Sequence, residues 1–329
     1  MKILGMGNAL VDIMIQLKDD SFLQRFNFPK GSMTLIDNEM CGYLYNETMG
    51  LVKHRTSGGS AANTIHGLAH LGVDTTFIGK IGNDELGRFF KSDMKGNGIN
   101  PILFNSISET GRVMAMVSRD TERTMATYLG AAVELEAQDL SSDIFKGYDF
   151  FYIEGYLVQN RELIQKALRL AKHTGIKTCL DLASFNIVKE NVEFLREIIR
   201  EYVDIVFANE EEAKAFTGRE PEEALKDIAE MCEIAIVKVG PKGSLIMSGS
   251  EGVEVPAHPA KSIDTTGAGD LYAAGFLFGL GKGQSFRIAG EIGSLLAARV
   301  IEIIGAKMGE SSWEFLRSEI KAIELKQTV

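Results

Sequence analysis

Residues 264–276, with the sequence DTTGAGDLYAAGF, combine residue types at a spacing that could transfer a phosphoryl group. Gly267 and Gly269 precede an apolar stretch that predicts a helix, so the amides of Gly267, Ala268 and Gly269 would be unpartnered at its N-terminus. Such amides, together with the positive end of the helix dipole, form an anion site. Asp270 beside that site could accept a proton from a hydroxyl group that attacks a bound phosphate. A capping role for Asp270 fits the same spacing.

The charge of the chain restricts how it can bind phosphate. It has 35 basic and 45 acidic residues and a net charge of −10, which disfavours general binding to nucleic acid or to an anionic membrane. A phosphate must therefore be held locally, for example by backbone amides. The length of 329 residues, with 45% hydrophobic and 24% charged residues, is typical of a globular protein.

The cysteines and the N-terminus indicate a cytoplasmic protein. Cys41, Cys179 and Cys232 are widely spaced, which disfavours a disulfide framework or a structural zinc site and predicts free thiols in a reducing cytoplasm. The N-terminal apolar run contains Asp12 and lacks a small-residue cleavage site, so it predicts a buried strand and not a signal peptide. The sequence has no apolar run of membrane-spanning length.

Apolar runs alternate with helical patterns along most of the chain. This alternation predicts an α/β fold of three layers, with a doubly wound, mostly parallel central sheet flanked by helices in one domain over residues 1–329. The runs 243–247 and 252–255 predict an antiparallel edge pair, and 256–263 predicts a strand-like approach to the final helices. The predicted parallel strands cover residues 2–6, 75–78, 149–153, 177–180, 204–207 and 234–238.

Two segments interrupt the alternation, at about residues 12–46 and 101–130. The first is polar and irregular, and the second predicts a hairpin of residues 112–118 and 124–129. Together they would form a small β lid over a cleft. Its unpaired edge could pair with a second subunit, which leaves a homodimer through the lid open.

The run DTTGAGD resembles the second signature of the ribokinase-like (PfkB) family of carbohydrate and nucleoside kinases. Further family-like motifs follow in family order: SGGSAANTIHGLAHLG (57–72), FIGKIGNDELG (77–87), ANEEEAKAFTG (208–218) and VKVGPKGSL (237–245). The resemblance implies a ribokinase-like fold with ATP as co-substrate and Mg²⁺. It also implies a monovalent cation such as K⁺, bound by carbonyl groups around residues 264–266 and the Gly305 turn.

The resemblance also implies a role for each matching residue. Asp270 would be the general base, and the amides of Gly267, Ala268 and Gly269 would form the anion hole. Glu212, with Asn209, would organise Mg²⁺ largely through water. The implied acceptor-binding residues are Asn8, Asp12, Gly58, Gly59 and Asn63. The implied nucleotide-binding residues are Asn209, Lys238, Gly240, Gly243, Thr265 and Gly305.

The acceptor stays open between a ribose-bearing nucleoside and a furanose sugar, each phosphorylated at a primary hydroxyl. Residues 30–37, 120–132 and 300–308 resemble the adenosine-kinase-like branch of the family. An apolar wall for a base could come from Phe22, Phe26, Phe28, Met33 or Met125. Two other classes remain: a nucleotide- or sugar-binding sensor without turnover, and an NAD-dependent enzyme. The latter is disfavoured because Leu10 occupies the third glycine position of GxGxxG.

Other polar residues allow both a chemical and a structural interpretation. His66 and His70 have metal-ligand spacing, but no third ligand is evident, so we expect packing or surface roles. Ser57 and Ser60, beside the glycine pair, are expected to cap a helix. Arg123 in the lid turn could contact phosphate or remain solvated.

Overall fold

The boundaries of the strands and helices follow the alternation of apolar and amphipathic segments along residues 1–325, which the computed structural model describes. The strands are β1 (Lys2–Met6), β2 (Leu10–Gln16), β3 (Met33–Leu35), β4 (Lys53–Gly58), β5 (Asp74–Gly82), β6 (Asn100–Ser106), β7 (Gly111–Val117), β8 (Arg123–Tyr128), β9 (Phe150–Glu154), β10 (Lys177–Asp181), β11 (Ile205–Asn209), β12 (Ile234–Lys238), β13 (Ser244–Ser248) and β14 (Glu251–Val255). The helices are α1 (Ser21–Arg25), α2 (Asn38–Glu47), α3 (Ser60–His70), α4 (Glu85–Gly96), α5 (Arg161–Thr174), α6 (Phe185–Tyr202), α7 (Glu210–Thr217), α8 (Pro221–Ala229), α9 (Ala268–Gly281), α10 (Phe286–Val300) and α11 (Glu310–Leu325).

Nine strands form a large sheet in the order β14-β13-β12-β11-β10-β9-β1-β5-β6. The strands from β12 to β6 are parallel, and β13 and β14 form the predicted antiparallel edge. Consecutive residues of β1 enter different hydrophobic clusters: Ile3 packs into one and Leu4 into the other, and neither is exposed. The predicted three-layer, doubly wound fold is therefore confirmed.

The order of the strands reverses at β1, which lies between β9 and β5. In an open parallel sheet, such a reversal opens a crevice at the carboxyl ends of the strands. The carboxyl ends of β9, β10, β11 and β12 are Glu154, Asp181, Asn209 and Lys238, so polar residues surround this crevice. The fold therefore places the site at this edge of the large sheet.

A smaller sheet has the order β3-β8-β7-β2-β4 and corresponds to the predicted lid. The predicted hairpin is present as β7 and β8. The predicted segments need two corrections. Strand β4 lies beyond residue 46, and β6 pairs with β5 in the large sheet, where Pro101 is tolerated because β6 is an edge strand. Pairing of a small-sheet edge with a second subunit stays a prediction.

The register of the small sheet places Asp12, Met14, Val113, Met125 and Arg123 on one face. Asp12 lies opposite Val113, Met14 opposite Ala115, and Ala115 in turn opposite Met125. Arg123 lies opposite Val117, two positions along β7 from Ala115, and therefore points to the same side. We call this the acceptor face, because it carries Asp12, which the sequence analysis predicts to bind the acceptor.

The opposite face of the small sheet packs against α1 and α2. The buried side chains there include Ile13, Met114 and Leu44. Phe28 belongs to the same cluster, and Phe22 and Phe26 pack against it. Phe26 also contacts the ring of Tyr43 in α2, with 5.7 Å between the ring centroids, so these rings pack with the helices; that an aromatic ring walls a base stays a prediction.

Residues 256–263 form no strand, contrary to the predicted strand-like approach, in the part of the chain that the structure describes. The amides of Ile263 and Asp264 donate to the carbonyl of Ile301 instead, at 2.7 and 3.2 Å. Among residues 1–325, no helix has the length and apolarity needed to cross a membrane.

Candidate active site

The N-terminus of α9 opens at the crevice with amides that have no acceptor among residues 1–325. Gly267 precedes the helix with a φ of 78°, and neither its amide nor that of Gly269 has an acceptor within residues 1–325. The amide of Ala268 donates to the carbonyl of Thr265 at 3.2 Å. In this structure the tight turn before the helix uses the Ala268 amide, and the other two predicted donors are unpartnered among residues 1–325; the anion hole of three amides stays a prediction.

The backbone requires glycine at Gly267, whereas Gly269 lies close to the end of the Lys238 side chain. Gly267 has a left-handed backbone, and a Cβ there would lie 2.6 Å from the Cβ of Ala306. At Gly269 a Cβ would lie 2.9 Å from the Nζ of Lys238. The absence of side chains leaves room for the segment after α10 on one side and for an ammonium group on the other.

Asp270, the third residue of α9, is held by two donors from α3. Ser60 Oγ donates to Oδ1 at 2.7 Å, and Asn63 Nδ2 donates to Oδ2 at 2.9 Å. Burial raises the pKa of Asp270 to about 6, although the hydrogen bonds from Asn63 and Ser60 oppose the shift; the negative charge of Asp181 adds to it. A carboxylate with such a pKa can accept a proton near neutral pH.

Lys238 and Asp181 form an ion pair beside the same helix end. The distance between Lys238 Nζ and Asp181 Oδ2 is 3.0 Å. Lys238 ends β12 and Asp181 ends β10, so their side chains meet across the carboxyl end of β11. The structure thus places the predicted nucleotide-binding residue Lys238 at the first turn of α9.

Asn209 and Glu212 bind each other in a capping box at the start of α7. Asn209 Oδ1 accepts from the Glu212 amide, and the Asn209 amide and Nδ2 donate to the two Glu212 carboxylate oxygens, each at 2.8 Å. Glu212 is buried, and desolvation followed by the charge of Asp181 raises its pKa to about 7. Glu212 therefore has a helix-capping role in addition to its position at the crevice.

The acceptor-site residues predicted from the sequence lie around the acceptor face and the start of α3. A Cβ at Gly58 would lie 2.5 Å from Asp12 Oδ1, and a Cβ at Gly59 would lie 2.2 Å from the Asn8 carbonyl oxygen. The Asp12 carboxylate forms no hydrogen bond with residues 1–325, and burial raises its pKa despite nearby Arg123 and Lys307. Asp12 is therefore available to bind a ligand hydroxyl.

Glu154 is a buried carboxylate that the sequence analysis missed. Its Oε1 accepts from the amide and Nδ2 of Asn8 at 2.9 and 2.7 Å, and its Oε2 accepts from the Ala61 amide at 2.9 Å. Burial raises the pKa of Glu154 to about 7 although these hydrogen bonds oppose the shift. Glu154 thereby fixes Asn8 and the N-terminus of α3, which carries Ser60 and Asn63.

Asp264 joins the loop before α9 to two other parts of the chain. Its Oδ2 accepts from Arg123 Nη1 at 2.9 Å and from the Gly305 amide at 2.7 Å, and its Oδ1 accepts from the Thr266 amide at 2.9 Å. Arg123 is therefore buried and not a solvated turn residue. The ion pair brings the acceptor face against the loop before α9.

The remaining predicted nucleotide-binding residues lie in turns at the edge of the crevice. Gly240 and Gly243 flank the turn between β12 and β13 with φ values of 55° and 101°. A Cβ at Gly243 would lie 1.9 Å from the Val255 carbonyl oxygen, so this position requires glycine. Thr265 is exposed in the loop before α9.

Four residues at the site had no role in the sequence-based prediction of catalysis: Ser60, Glu154, Asp181 and Lys307. Glu154 and Asp181 each end a buried parallel strand, and a carboxylate at that position was a signal that could have identified them. Lys307 has a buried Nζ without a hydrogen-bond partner among the described residues, and burial lowers its pKa to about 8. No sequence pattern distinguishes Lys307.

Comparisons with known proteins identify the family and the fold. Residues 39–312 match the family described as pfkB family carbohydrate kinase. The crystal structure of adenosine kinase from Sinorhizobium meliloti superposes with a TM-score of 0.86. Its sequence is 38% identical to this one, and the match covers 97% of this chain and 99% of the adenosine kinase chain. A probable sugar kinase from Rhizobium etli is 36% identical, with a TM-score of 0.87 over 97% and 98%. The adenosine kinase of Schizophyllum commune is 26% identical over 92% of this chain and 96% of its own length.

Proposed function

The chain belongs to the pfkB family of carbohydrate kinases, and we propose that it transfers the γ-phosphate of ATP to the primary hydroxyl of an adenosine-like nucleoside. The observation that carries this proposal is the pair of hydrogen bonds that hold Asp270 beside the free amides of α9. In the proposed reaction, Asp270 accepts the proton of the attacking hydroxyl. The amides of Gly267 and Gly269 bind the oxygens of the transferred phosphoryl group.

The proposed roles agree with the energetics of phosphoryl transfer. The transition state is loose, so positioning and charge stabilisation supply most of the rate enhancement. A single anion-hole donor contributes roughly 10²–10³ in rate, and a positioned base contributes roughly 10²–10⁴. Because the nucleophile is little deprotonated in a loose transition state, a carboxylate can serve as the base.

The oxygen atoms of Glu212 and Asn209 are suited to Mg²⁺ that enters the site bound to ATP. Residues 1–325 contain no cluster of three or more acidic, histidine or cysteine side chains that could hold a metal alone. Mg²⁺ in kinases is commonly bound by one or two carboxylates, substrate phosphates and water. When bound, Mg²⁺ neutralises phosphate charge; Glu212 and Asn209 would orient its water ligands.

The predicted monovalent cation would be held by backbone carbonyls around residues 264–266 and the Gly305 turn, and it stays a prediction. The Thr265 carbonyl there also accepts the Ala268 amide. The reaction proposed here routes no step through K⁺. Comparing turnover in potassium and tetramethylammonium chloride at equal ionic strength tests the predicted cation, and equal turnover in the two salts would contradict it.

The acceptor face supports a nucleoside. Leu10, Val113 and Ala115 are buried there, and Met14 and Met125 pack against them. This apolar surface surrounds the unpartnered carboxylate of Asp12. A purine could lie on the apolar part while Asp12 binds ribose hydroxyls. The names of the relatives from Sinorhizobium meliloti and Schizophyllum commune point to the same acceptor.

An acceptor panel tests the proposal. The protein is incubated with MgATP and adenosine, inosine, guanosine, ribose or fructose; ADP release is measured and the phosphorylated product is identified by mass spectrometry. We expect a nucleoside monophosphate, and we expect Asp12→Asn to raise the KM for the nucleoside. Phosphorylation of the sugars alone would favour a sugar kinase, as the Rhizobium etli relative suggests. No stimulated ADP release would favour a sensor.

A further inference from the structure

We propose that Lys238 binds phosphoryl oxygens at the N-terminus of α9 and that Asp181 is the positioning residue that holds its ammonium group there. The inference rests on the proposed phosphoryl transfer and on the nucleotide-binding role already predicted for Lys238, and the residue that it adds is Asp181. The geometry is that of a short chain of contacts: Asp181 Oδ2 lies 3.0 Å from Lys238 Nζ, and that Nζ lies 2.9 Å from where a Cβ of Gly269 would be.

The ammonium group is enclosed where it meets the helix. The side chain of Lys238 is 15% exposed and that of Asp181 is 6% exposed, so the pair is largely removed from water. The 2.9 Å between Nζ and the position of a Gly269 Cβ places the ammonium group beside the first turn of the helix. An anion bound by the amides of Gly267 and Gly269 would therefore also contact Lys238.

Asp181 is itself fixed by the backbone. Its Oδ1 accepts from the Ala183 amide at 2.9 Å, while Oδ2 binds Lys238. Ala183 has a φ of 64°, a left-handed conformation that is unusual for alanine. Strained backbone of this kind persists where the surrounding structure requires it, often at functional sites. The turn after β10 therefore holds the carboxylate in one orientation.

Lys238 requires a positioning residue, because other carboxylates nearby compete for its ammonium group. Lysine has a long, flexible stem, and the negative charges of Glu212 and Asp270 both act on its ammonium group. A direct ion pair with Asp270 would keep the base charged and occupied. By binding Lys238 from the side of β10, Asp181 keeps the ammonium group at the helix end and leaves Asp270 to Ser60 and Asn63.

The two residues have opposite electrostatic effects on the base. The charge of Asp181 raises the pKa of Asp270, and the charge of Lys238 lowers it. Replacing Asp181 with Asn should therefore move the acid limb of kcat/KM to lower pH. Replacing Lys238 with Met should move that limb to higher pH. A purely structural role for either residue would not produce these opposite shifts.

The experiment compares Lys238→Met, Asp181→Asn and the double variant by steady-state kinetics, pH profiles, thermal unfolding and binding of a non-hydrolysable ATP analogue. We expect Lys238→Met to lower kcat about 10²- to 10³-fold, as for the loss of one anion-hole donor. We expect Asp181→Asn to lower it about 10²-fold through misplacement of the ammonium group. The double variant should resemble Lys238→Met, because Asp181 acts through Lys238.

Lys80 and Asp139 provide a matched control. Their ion pair has the same 3.0 Å distance, with side chains 13% and 18% exposed. Asp139→Asn should leave the pH profile unchanged. Wild-type kcat in folded Lys238→Met, or additive losses in the double variant, would overturn the inference. If Asp181→Asn fails to fold, Asp181→Glu decides: it keeps the negative charge but displaces Lys238 Nζ, so kcat should fall at least about tenfold without the acid-limb shift, and wild-type kcat in this variant would overturn the inference. If the wild-type protein phosphorylates no acceptor, the proposed function is contradicted. In that case, a comparison of ATP-analogue binding by the wild-type protein and by Lys238→Met still tests whether Lys238 binds phosphoryl oxygens.

Discussion

Arg123 of the small sheet and Asp264 of the loop before α9 form an ion pair of 2.9 Å, with side chains only 5% and 7% exposed. The same Asp264 oxygen accepts the Gly305 amide. The pair therefore links the face that would bind the acceptor to the loop that would bind phosphate. Asp264 keeps its charge, because hydrogen bonds from Gly305 and Thr266 and the charge of Arg123 together outweigh desolvation and lower its pKa.

Arg123→Met should destabilise the protein and reduce turnover. Removing one partner of a buried ion pair costs about 3 kcal/mol or more, because the other charge stays buried. We expect a lower Tm and a fall in kcat/KM of at least about tenfold, since misplacement by roughly 1 Å can cost 10²-fold. Thermal unfolding and steady-state kinetics measure the two effects.

Arg55→Met is the control for Arg123→Met. Arg55 lies on the opposite face of the small sheet and forms an ion pair with Glu85 at 2.5 Å, with side chains 30% and 73% exposed. Exposed pairs contribute about 0–1 kcal/mol. We expect near-wild-type kinetics for Arg55→Met. Equal losses in both variants would mean that Arg123 only stabilises the sheet.

Asp270→Asn should remove turnover and preserve nucleotide binding. The amide cannot accept the proton of the attacking hydroxyl, so kcat should fall roughly 10²- to 10⁴-fold. Asparagine can still accept a hydrogen bond from Ser60 or Asn63, which preserves the local structure. Rapid-quench kinetics and binding of an ATP analogue check both parts, and wild-type kcat in this variant would exclude Asp270 as the base.

The pKa of Asp270, raised to about 6, predicts how activity and stability depend on pH. The base must be ionised, so kcat/KM should fall about tenfold per pH unit below 6. The folded pKa lies above the value of about 3.9 for an unfolded aspartate, so the folded state binds the proton more tightly. Ionisation of Asp270 therefore destabilises the fold as the pH rises from 4 to 6.

It follows that Asp270→Asn should raise the Tm at pH 8 more than at pH 4. Thermal unfolding of both proteins across this range provides the measurement. An equal change in Tm at the two pH values would show that the carboxylate is not desolvated in solution.

Gly267→Ala should lower activity more than its effect on stability explains. Gly267 and Gly283 have φ values of 78° and 76°. At either position, alanine in this left-handed conformation is less stable than glycine by about 1–2 kcal/mol. A Cβ at Gly267 meets Ala306, whereas a Cβ at Gly283 meets nothing within 4 Å. We expect similar backbone strain but loss of kcat only for Gly267→Ala; equal kcat in the two variants would contradict a special role for this turn.

The sequence predicts the buried parallel strands well because such strands appear as short apolar runs. The runs 2–6 and 234–238 match β1 and β12 to the residue. Strand β4, with the sequence KHRTSG, was missed because its polar residues carry no apolar pattern. Strand β6 falls inside the predicted lid segment 101–130 but pairs with β5 at the edge of the large sheet, and sequence pattern alone does not specify which sheet an edge strand joins.

At the site, the motif predicts Asp270 and the glycines but not their partners. Ser60 contacts Asp270 across 210 positions, Ala61 contacts Glu154 across 93, and Lys238 contacts Asp181 across 57. Such contacts arise from the strand order and not from local spacing. The involvement of Ala268 in a turn also depends on the backbone conformation at Gly267, which spacing alone does not specify.

The distance along the chain between α3 and Asp270 has a consequence for protein synthesis. The serine and asparagine that orient the carboxylate leave the ribosome some two hundred residues before the carboxylate itself. A nascent chain without the last third therefore contains the two side-chain donors but neither the carboxylate nor α9, whose residues Leu271 and Ala274 lie against Gly67 of α3. Synthesis of the last third is thus the step that completes the proposed site.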